Sequence, residues 1–294
     1  MFKAGKVAIL GRPNVGKSTL LNVLIKEKLC IVSKKPGTTR DNIQGILSGK
    51  DFQIVFIDTP GMHRPKNLLG SSMVKRASST ILESDLVLLL VDAYGGITSE
   101  DEKIFQRFPT EKINFLIINK IDRIQKHRIL PIIKKAQQFP FKEIIPISAS
   151  KKDGTDIVFK KILENLPEGY PIFPEDQLSD KNEKFFVGEI VRENILRLTR
   201  QEIPHSIAVT IEEMKEKKDK SNQRIYYIRA NICVERKSQK SIVIGKKGQM
   251  LKKIGEHSRK EIENFLNTHV FLDLWVKLCE NWRKDPYMLK NLGY

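Results

Sequence analysis

Short apolar runs alternate with amphipathic stretches of helical length along the first 166 residues of the chain. The runs are KVAILG, FQIVFID, LVLLLVD, NFLIINK and IIPISAS, and they begin at residues 6, 52, 86, 114 and 144. Near-continuous apolar runs separated by helices are typical of strands buried on both faces of a parallel sheet. The pattern therefore predicts an α/β domain with a mostly parallel sheet and helices on both faces.

The segment NLPEGYPIFPEDQLSD, residues 165–180, interrupts this alternation. It contains three prolines and several acidic residues, and it has no hydrophobic period. Such composition is typical of a connection between domains. We expect a first domain at 1–166, a linker at 167–182 and a second domain at 183–294, and 294 residues are enough for two separate cores.

The second domain mixes helical and strand patterns. Apolar residues recur at near-helical intervals over 183–203, before Pro204, and strand-like alternation follows over 206–214 and 224–235 on either side of a charged turn. The remaining predictions are a short helix at 239–245, a longer helix at 249–266 and a closing strand at 270–279. The predicted α+β order is helix, strand, strand, helix, GKKG loop, helix, strand.

The net charge of the chain indicates a polyanionic partner. The chain has 52 Lys and Arg against 35 Asp and Glu, a net charge of +17. Nine basic residues and one acidic residue fall within 236–260, around the GKKG loop. This density favours nucleic acid or an anionic membrane surface, although a basic protein can also simply be soluble.

The cysteines and the apolar runs bear on the compartment. Cys30, Cys233 and Cys279 are far apart and form no CxxC pair, so the sequence supports neither a disulfide framework nor a zinc site. The N-terminus lacks a signal-peptide pattern, and LVLLLV at 86–91 is too short to cross a bilayer. We therefore expect a cytoplasmic protein whose membrane contact, if any, is peripheral.

The stretch GRPNVGKS at 11–18 fits the phosphate-binding pattern G-x-x-x-x-G-K-[ST], between a strand and a helix. Gly11 and Gly16 allow the backbone to approach phosphates, Lys17 neutralises them, and the Ser18 hydroxyl ligates Mg²⁺. The predicted contacts with the nucleotide are Gly11, Arg12, Pro13, Asn14, Val15, Gly16, Lys17, Ser18 and Thr19.

DTPG at 58–61 closes the next strand. Asp58 can hold the metal ion, and the Gly61 N–H can reach a γ-phosphate; Thr59 and Pro60 complete this predicted contact. A single aspartate at the end of a strand is often only a turn former, but the preceding phosphate loop favours the nucleotide interpretation.

NKID at 119–122 predicts which base is bound. The two oxygens of the Asp122 carboxylate can accept from the imino and amino groups of guanine, whereas adenine would leave that carboxylate unpaired. Asn119 would tie this loop to the phosphate loop, and the stem of Lys120 would lie along the purine. Backbone N–H groups of Ser148, Ala149 and Ser150 would bind the guanine carbonyl. GTP is therefore favoured over ATP.

Together these ordered motifs resemble those of TRAFAC-class GTPases. The resemblance implies that PGTTRD at 36–41 is a switch loop, and it favours Thr39 over Thr38 as a ligand of Mg²⁺. Met62 stands where many small GTPases have a water-orienting glutamine, so slow intrinsic turnover is expected. Asn14 would either help hold K⁺ or only brace the loop, and slower hydrolysis in NaCl than in KCl would favour K⁺. The predicted catalytic residues are Asn14, Lys17, Thr39 and Gly61.

IVIGKKGQ at 242–249 lacks the spacing of a second nucleotide loop. Its position between two helices resembles that of the GxxG loop in a type II KH domain, which clamps the backbone of single-stranded nucleic acid. A charged helix–helix turn is the alternative interpretation. The predicted RNA-binding residues are Ile244, Gly245, Lys246, Lys247, Gly248 and Lys252.

A GTPase domain joined by this linker to RENILRLTRQEIPHS and a KH unit resembles the bacterial Era family over nearly the whole chain. The resemblance implies a monomeric assembly factor of the small (30S) ribosomal subunit that binds the 3′ region of 16S rRNA under control of GTP. It also implies some association with the inner face of the membrane. Two alternatives remain: a signalling GTPase docked on anionic lipid, and an ATP-using kinase, which NKID disfavours.

Overall fold

The computed structural model describes residues 1–33, 35, 37–62, 67–106, 112–199, 206–218 and 224–294. These residues form two compact units. The first comprises Met1–Val32, Thr39–Lys66 and Gly70–Asp180, and the second comprises Ser33–Thr38, Asn67–Leu69 and Lys181–Tyr294. No helix among the described residues has the length and apolar character needed to cross a membrane.

A six-stranded sheet forms the centre of the first unit. Its strands are β1 (Lys3–Gly11), β2 (Ile43–Gly49), β3 (Phe52–Asp58), β4 (Leu86–Asp92), β5 (Ile113–Asn119) and β6 (Glu143–Pro146). They lie in the order β2-β3-β1-β4-β5-β6, and only β2 is antiparallel to its neighbour. The five apolar runs in the sequence became the five parallel strands, because a strand covered on both faces needs apolar side chains on both sides.

Five α-helices among the described residues accompany this sheet. They are α1 (Lys17–Ile25), α2 (Leu68–Glu83), α3 (Ser99–Phe105), α4 (Ile129–Ala136) and α5 (Thr155–Asn165), and the first two residues of α2 group with the second unit. One apolar cluster includes residues of β1, β4, β5 and α2, such as Leu10, Leu89, Leu116 and Ala77. The core thus fixes the strands whose carboxyl ends carry the predicted motifs.

Strand β2 was not predicted from the sequence. Its residues IQGILSG contain two glycines and neither a clean alternation nor a continuous apolar run. It lies at the edge of the sheet, paired along its full length with β3 from Ile43 opposite Asp58 to Gly49 opposite Phe52. Pairing with a strongly apolar neighbour therefore made this segment a strand.

Residues 167–180 group with the first unit. The Ala4 N–H donates to the carbonyl of Pro167, and the Ile46 N–H donates to the carbonyl of Leu178. The fully buried Gln53 accepts from the N–H groups of Ile172 and Phe173 and donates to the carbonyl of Phe173 at 2.8 Å. A segment without periodicity is thus ordered by hydrogen bonds from strands β1, β2 and β3 of the sheet.

The second unit has the predicted αββααβ order. Its elements are α6 (Glu183–Leu198), β7 (Ile207–Lys218), β8 (Arg224–Val234), α7 (Lys237–Ile244), α8 (Gln249–Leu266), β9 (His269–Leu278) and α9 (Pro286–Asn291). The sheet order is β7-β8-β9, with β7 antiparallel and β9 parallel to β8.

Two details of this unit differ from the sequence prediction. Strand β7 continues to Lys218, four residues into the stretch predicted as a charged turn, because its end pairs with Arg224–Tyr227 of β8. Helix α9 was not predicted; Asp285 caps it by accepting from the N–H groups of Tyr287 and Met288. Pro204, predicted to end a helix, and the predicted turn residues 219–223 lie outside the described residues.

Candidate nucleotide site and nucleic-acid surface

The loop between β1 and α1 has the backbone conformation that its glycines predict. Gly11, Asn14 and Gly16 have φ values of 144°, 65° and 104°. A Cβ atom on Gly16 would lie 2.2 Å from the amide nitrogen of Asn119, so only glycine fits there without displacing a neighbour. The loop therefore leaves its N–H groups and the start of α1 available to an anion.

Lys17 and Asp58 are buried groups of opposite charge at this loop. The Lys17 ammonium donates to the carbonyls of Gly11 and Arg12 at 3.1 and 3.0 Å. Burial lowers the pKa of Lys17 to about 8, against the opposing effect of Asp58. Burial also raises the pKa of Asp58, although Lys17 and the hydroxyls of Ser18 and Thr39 favour its charged form. An incoming phosphate would add a negative partner for this lysine.

The oxygen-bearing side chains of Ser18, Thr39 and Asp58 converge at one point. Ser18 Oγ lies 2.6 Å from Asp58 Oδ2, Thr39 Oγ1 lies 3.1 Å from the same oxygen, and the two hydroxyls are 2.9 Å apart. Mg²⁺ prefers such hard oxygen ligands and is commonly bound through few protein groups together with phosphates. The donor set fits the predicted metal.

Thr38 instead donates to the carbonyl of Lys35, so the local geometry favours Thr39 as the ligand of Mg²⁺. Pro36 of the predicted switch loop lies outside the described residues.

Gly61 and Met62 lie against the phosphate loop. A Cβ atom on Gly61 would come 2.8 Å from the backbone N and Cα of Pro13, and the Met62 N–H donates to the carbonyl of Gly11. The Met62 side chain is 6 % exposed and belongs to the apolar cluster of the first unit. Met62 is therefore a core residue here.

Thr59 Oγ1 donates to the carbonyl of Ile9, and Thr59 and Pro60 are buried.

The loops after β5 and β6 are joined to each other and to the phosphate loop. Asn119 donates to the carbonyl of Val15 at 2.8 Å and accepts from the Ala149 N–H at 3.0 Å. Ser148 Oγ donates to Asp122 Oδ1 at 2.5 Å. The Asp122 carboxylate is thus held beside the loop containing Ser148, Ala149 and Ser150, as a reader of guanine requires.

Lys120 is held in a defined position by the same group of loops. Its ammonium lies 2.6 Å from Asp92 Oδ2 and donates to the carbonyl of Asn14, while its backbone N–H donates to Asn119 Oδ1 at 2.8 Å. Its φ of 67° lies in the left-handed region. With its charge anchored at Asp92, the aliphatic stem is the part available to a purine face.

One ion pair at this site was missed by sequence reasoning. Arg12 Nε lies 2.8 Å from Oδ1 of Asp101, which is 1 % exposed. Asp101 Oδ2 accepts from both the N–H and the hydroxyl of Thr98 at the start of α3. The T-x-x-D spacing signals a helix cap, but nothing in the sequence pairs that cap with a residue 89 positions earlier.

This pair gives a prediction about nucleotide affinity. Arg12→Ala removes the side chain that joins the phosphate loop to α3, and we expect the dissociation constant of a fluorescent GDP to rise roughly tenfold. Thr98→Ala is the matched control, because it weakens the cap by about 1 kcal/mol while leaving the Arg12–Asp101 pair intact. Nucleotide affinity and melting temperature are measured for both variants. If Arg12→Ala and Thr98→Ala bind GDP equally well, the Arg12–Asp101 pair stabilises the fold only and does not contribute to nucleotide binding.

The GKKG loop has a backbone conformation that depends on its glycines. Gly245, Lys247 and Gly248 have φ values of 73°, 51° and 77°. A Cβ atom on Gly245 would lie 2.9 Å from the backbone N of Met250, whereas open space surrounds Gly248. Lys246, Lys247 and Lys252 are exposed, and Ile244 is half-buried beside them. The loop thus presents cations next to a partly apolar wall, as expected for a backbone clamp.

The tryptophans separate into two environments. The alternating positions of aromatic residues in the predicted strands favour packing over base stacking for Trp275, Trp282, Tyr226 and Tyr227. Trp282 is fully buried and donates to the Ser206 carbonyl, but Trp275 is 55 % exposed on β9. The packing interpretation therefore suits Trp282 alone of these two residues.

Two family models match the chain. One describes a 50S ribosome-binding GTPase and covers residues 6–120, and the other describes a KH domain and covers residues 202–283. The GTPase Era of Clostridium kluyveri is 46 % identical over 100 % of both chains. The GTPase Era of Clostridium botulinum is 48 % identical over 100 % of this chain and 99 % of its own.

Two solved structures are similar over the whole chain. A crystal structure of Era in complex with MgGDPNP and nucleotides 1506–1542 of 16S ribosomal RNA has a TM-score of 0.96 at 44 % identity, covering 100 % of this chain and 99 % of that one. A variant of Aquifex aeolicus Era bound to GDP.AlF4⁻ has a TM-score of 0.95 at 44 % identity, with the same coverage.

The fold and the site together define a P-loop GTPase domain joined to a KH domain. This confirms the fold class predicted from the sequence. The chain belongs to the Era family of GTPases, which confirms the resemblance found in the motifs, and it is therefore an enzyme that hydrolyses GTP.

Proposed function

We propose that this protein is a GTP-controlled assembly factor of the small ribosomal subunit. In this proposal residues 1–166 bind GTP and Mg²⁺, residues 167–182 connect the domains, and residues 183–294 bind the 3′ region of 16S rRNA. It acts in the cytoplasm as a monomer. The observation that carries the RNA part is the GKKG loop, where exposed lysines flank a half-buried apolar side chain.

The nucleotide part rests on the arrangement of the first unit. Lys17 is buried in the phosphate loop, Ser18 and Thr39 meet at Asp58, and Ser148 holds Asp122 in the base loop. These groups are suited to phosphate, Mg²⁺ and guanine respectively. The relatives crystallised with MgGDPNP and with GDP.AlF4⁻ support the same ligands for this chain.

The RNA part rests on charge as well as on loop geometry. The chain carries a net charge of +17, and the GKKG loop lies in its most basic segment. The relative crystallised with a 16S rRNA fragment supports the choice of RNA. If GTP and RNA favour the same conformer, each must raise the affinity of the other by the same factor.

The test is the affinity of the full chain for a fluorescent single-stranded RNA that ends in the 3′ sequence of small-subunit rRNA. We expect at least about fivefold tighter binding with a non-hydrolysable GTP analogue than with GDP. An RNA affinity that is the same with the GTP analogue and with GDP would refute the coupling between nucleotide and RNA. The absence of RNA binding would refute the RNA role. A parallel assay with anionic liposomes tests the alternative of a lipid-docked signalling GTPase, since lipid binding that survives loss of Gly245 and Gly248 would favour that alternative.

A further inference from the structure

One face of the second unit's sheet presents aromatic side chains to solvent. Phe271 and Trp275 on β9 are 58 % and 55 % exposed. They are four residues apart in a strand and therefore lie on the same face. Tyr227 is the register partner of Phe271 on β8. We call Tyr227, Phe271 and Trp275 the aromatic face.

Two rings of the aromatic face are already stacked. The centroids of Tyr227 and Phe271 are 5.7 Å apart with an interplanar angle of 11°. The ammonium of Lys217 on β7 lies 4.1 Å from the centroid of Tyr227. A row from Lys217 through Tyr227 to Phe271 thus crosses the three strands. Since β9 is the edge strand, no described strand lies beyond Phe271, and the row can be extended there by another flat ring.

Hydrogen bonds hold the aromatic face in place. Asp273, between Phe271 and Trp275, accepts from Trp275 Nε1 at 2.9 Å and from Arg229 Nε at 3.2 Å. Arg229 donates in turn to the Tyr227 hydroxyl at 2.7 Å. Rings ordered in advance lose little conformational entropy when a ligand stacks on them.

Cations surround the aromatic face. Lys217 and Arg229 lie against Tyr227. At the margins of the face, the exposed Lys215 and Lys277 pair with the half-buried Glu213 and the exposed Glu212. Exposed ion pairs of this kind contribute little to stability, so these lysines can turn to a phosphate at small cost. Stacking rings among basic groups are the combination that binds single-stranded nucleic acid.

Strand β9 connects the aromatic face to the helix that follows the proposed RNA clamp. Its opposite face contacts α8, the helix that follows the GKKG loop, since a Cβ atom on Gly255 would lie 3.6 Å from Leu274 Cδ1. An RNA chain that leaves the GKKG loop therefore needs to follow α8 and pass around the edge of β9, reaching Trp275, next to Leu274, before Phe271.

We propose that the aromatic face is a second RNA-binding surface, on which bases of single-stranded RNA beyond the GKKG-bound segment stack on Phe271 and Trp275. The inference rests on the proposed RNA-binding function. It predicts an RNA-length dependence, because a clamp for about four nucleotides is filled by a short RNA, whereas only a longer RNA can reach the second surface.

The test compares labelled RNAs of about 5 and about 12 nucleotides with the same GKKG-binding sequence, on the full chain in the presence of a GTP analogue. Phe271→Ala and Trp275→Ala should each weaken binding of the longer RNA roughly 5- to 100-fold and leave the shorter RNA unchanged. Trp275→Phe should retain most of the affinity because it keeps a ring. Tyr287→Ala, at a residue 74 % exposed on α9, is the matched control and should bind both RNAs like the parent chain.

Tryptophan fluorescence gives an independent readout. Trp282 is fully buried, so iodide should quench the fluorescence of Trp275 selectively. Binding of the longer RNA should lower the fluorescence of Trp275 and protect it from quenching by iodide. If the parent chain binds both RNAs but the alanine variants bind the longer one normally, the second surface is refuted while the proposed function stands. If the parent chain binds neither RNA, both fail.

Discussion

Asp122→Asn is expected to weaken GTP binding by at least about 100-fold and to make XTP the preferred nucleotide. The Asp122 carboxylate is held by Ser148 Oγ at 2.5 Å, so it is oriented before the base arrives. It can accept from the imino and amino groups of guanine together, and each such charge-assisted bond is worth about 1.5–3 kcal/mol. An asparagine amide instead sets a donor against the guanine amino group. Xanthine has a carbonyl at that position and restores the pair.

The measurement is competition of GTP and XTP against a fluorescent GDP analogue, followed by hydrolysis rates with both nucleotides. Asp51→Asn, in the exposed turn between β2 and β3, changes the net charge equally and should leave the preference for GTP intact. An unchanged ratio of GTP to XTP affinity in Asp122→Asn would show that this carboxylate does not read the base.

The paired replacement of Lys246→Glu and Lys247→Glu is expected to lower RNA affinity roughly 100-fold at about 0.15 M salt, with nucleotide binding unchanged. Both lysines are exposed, and only Lys247 has a positive φ, so their replacement removes no buried contact. Each lost phosphate contact should reduce the slope of log affinity against log salt by about 0.7 for a single strand. The paired change should therefore flatten the slope by about 1.4, and the inserted acids add repulsion.

Lys126→Glu with Lys134→Glu is the matched control for this experiment. Both residues are exposed in the first unit, and their replacement changes the net charge by the same amount. If the control pair lowers RNA affinity as strongly, net charge and not the GKKG loop governs binding. If the slope of log RNA affinity against log salt is the same in the GKKG variant as in the parent chain, Lys246 and Lys247 belong to a solvated turn and do not contact RNA phosphates.

Much of the nucleotide site was predictable because its chemistry is local. GRPNVGKS, DTPG and NKID each follow an apolar run, and parallel strands bring their carboxyl ends to one edge of a sheet. The register places Ile9 beside Asp58 and Asp92 beside Asn119. Residues from three distant segments could therefore be assigned to one site before their distances were known.

The parts that were missed depend on partners far away in the sequence. The pair of Arg12 with Asp101 requires α3 to begin beside the phosphate loop. The order in 167–180 requires Gln53 on a neighbouring strand to satisfy backbone groups that have no periodic pattern. Neither contact leaves a local pattern in composition or spacing.

The sequence by itself determined the five parallel strands of the first unit, the αββααβ order of the second unit and the chemistry of the site. Strand and helix periods and the phosphate, metal and base motifs are properties of neighbouring residues. Only the tertiary structure decided that IQGILSG is an edge strand, that Met62 enters the core, and that Trp282 is buried while Trp275 is exposed. The physical reason is that burial and pairing depend on which surface each residue meets, and that surface is formed by distant parts of the chain.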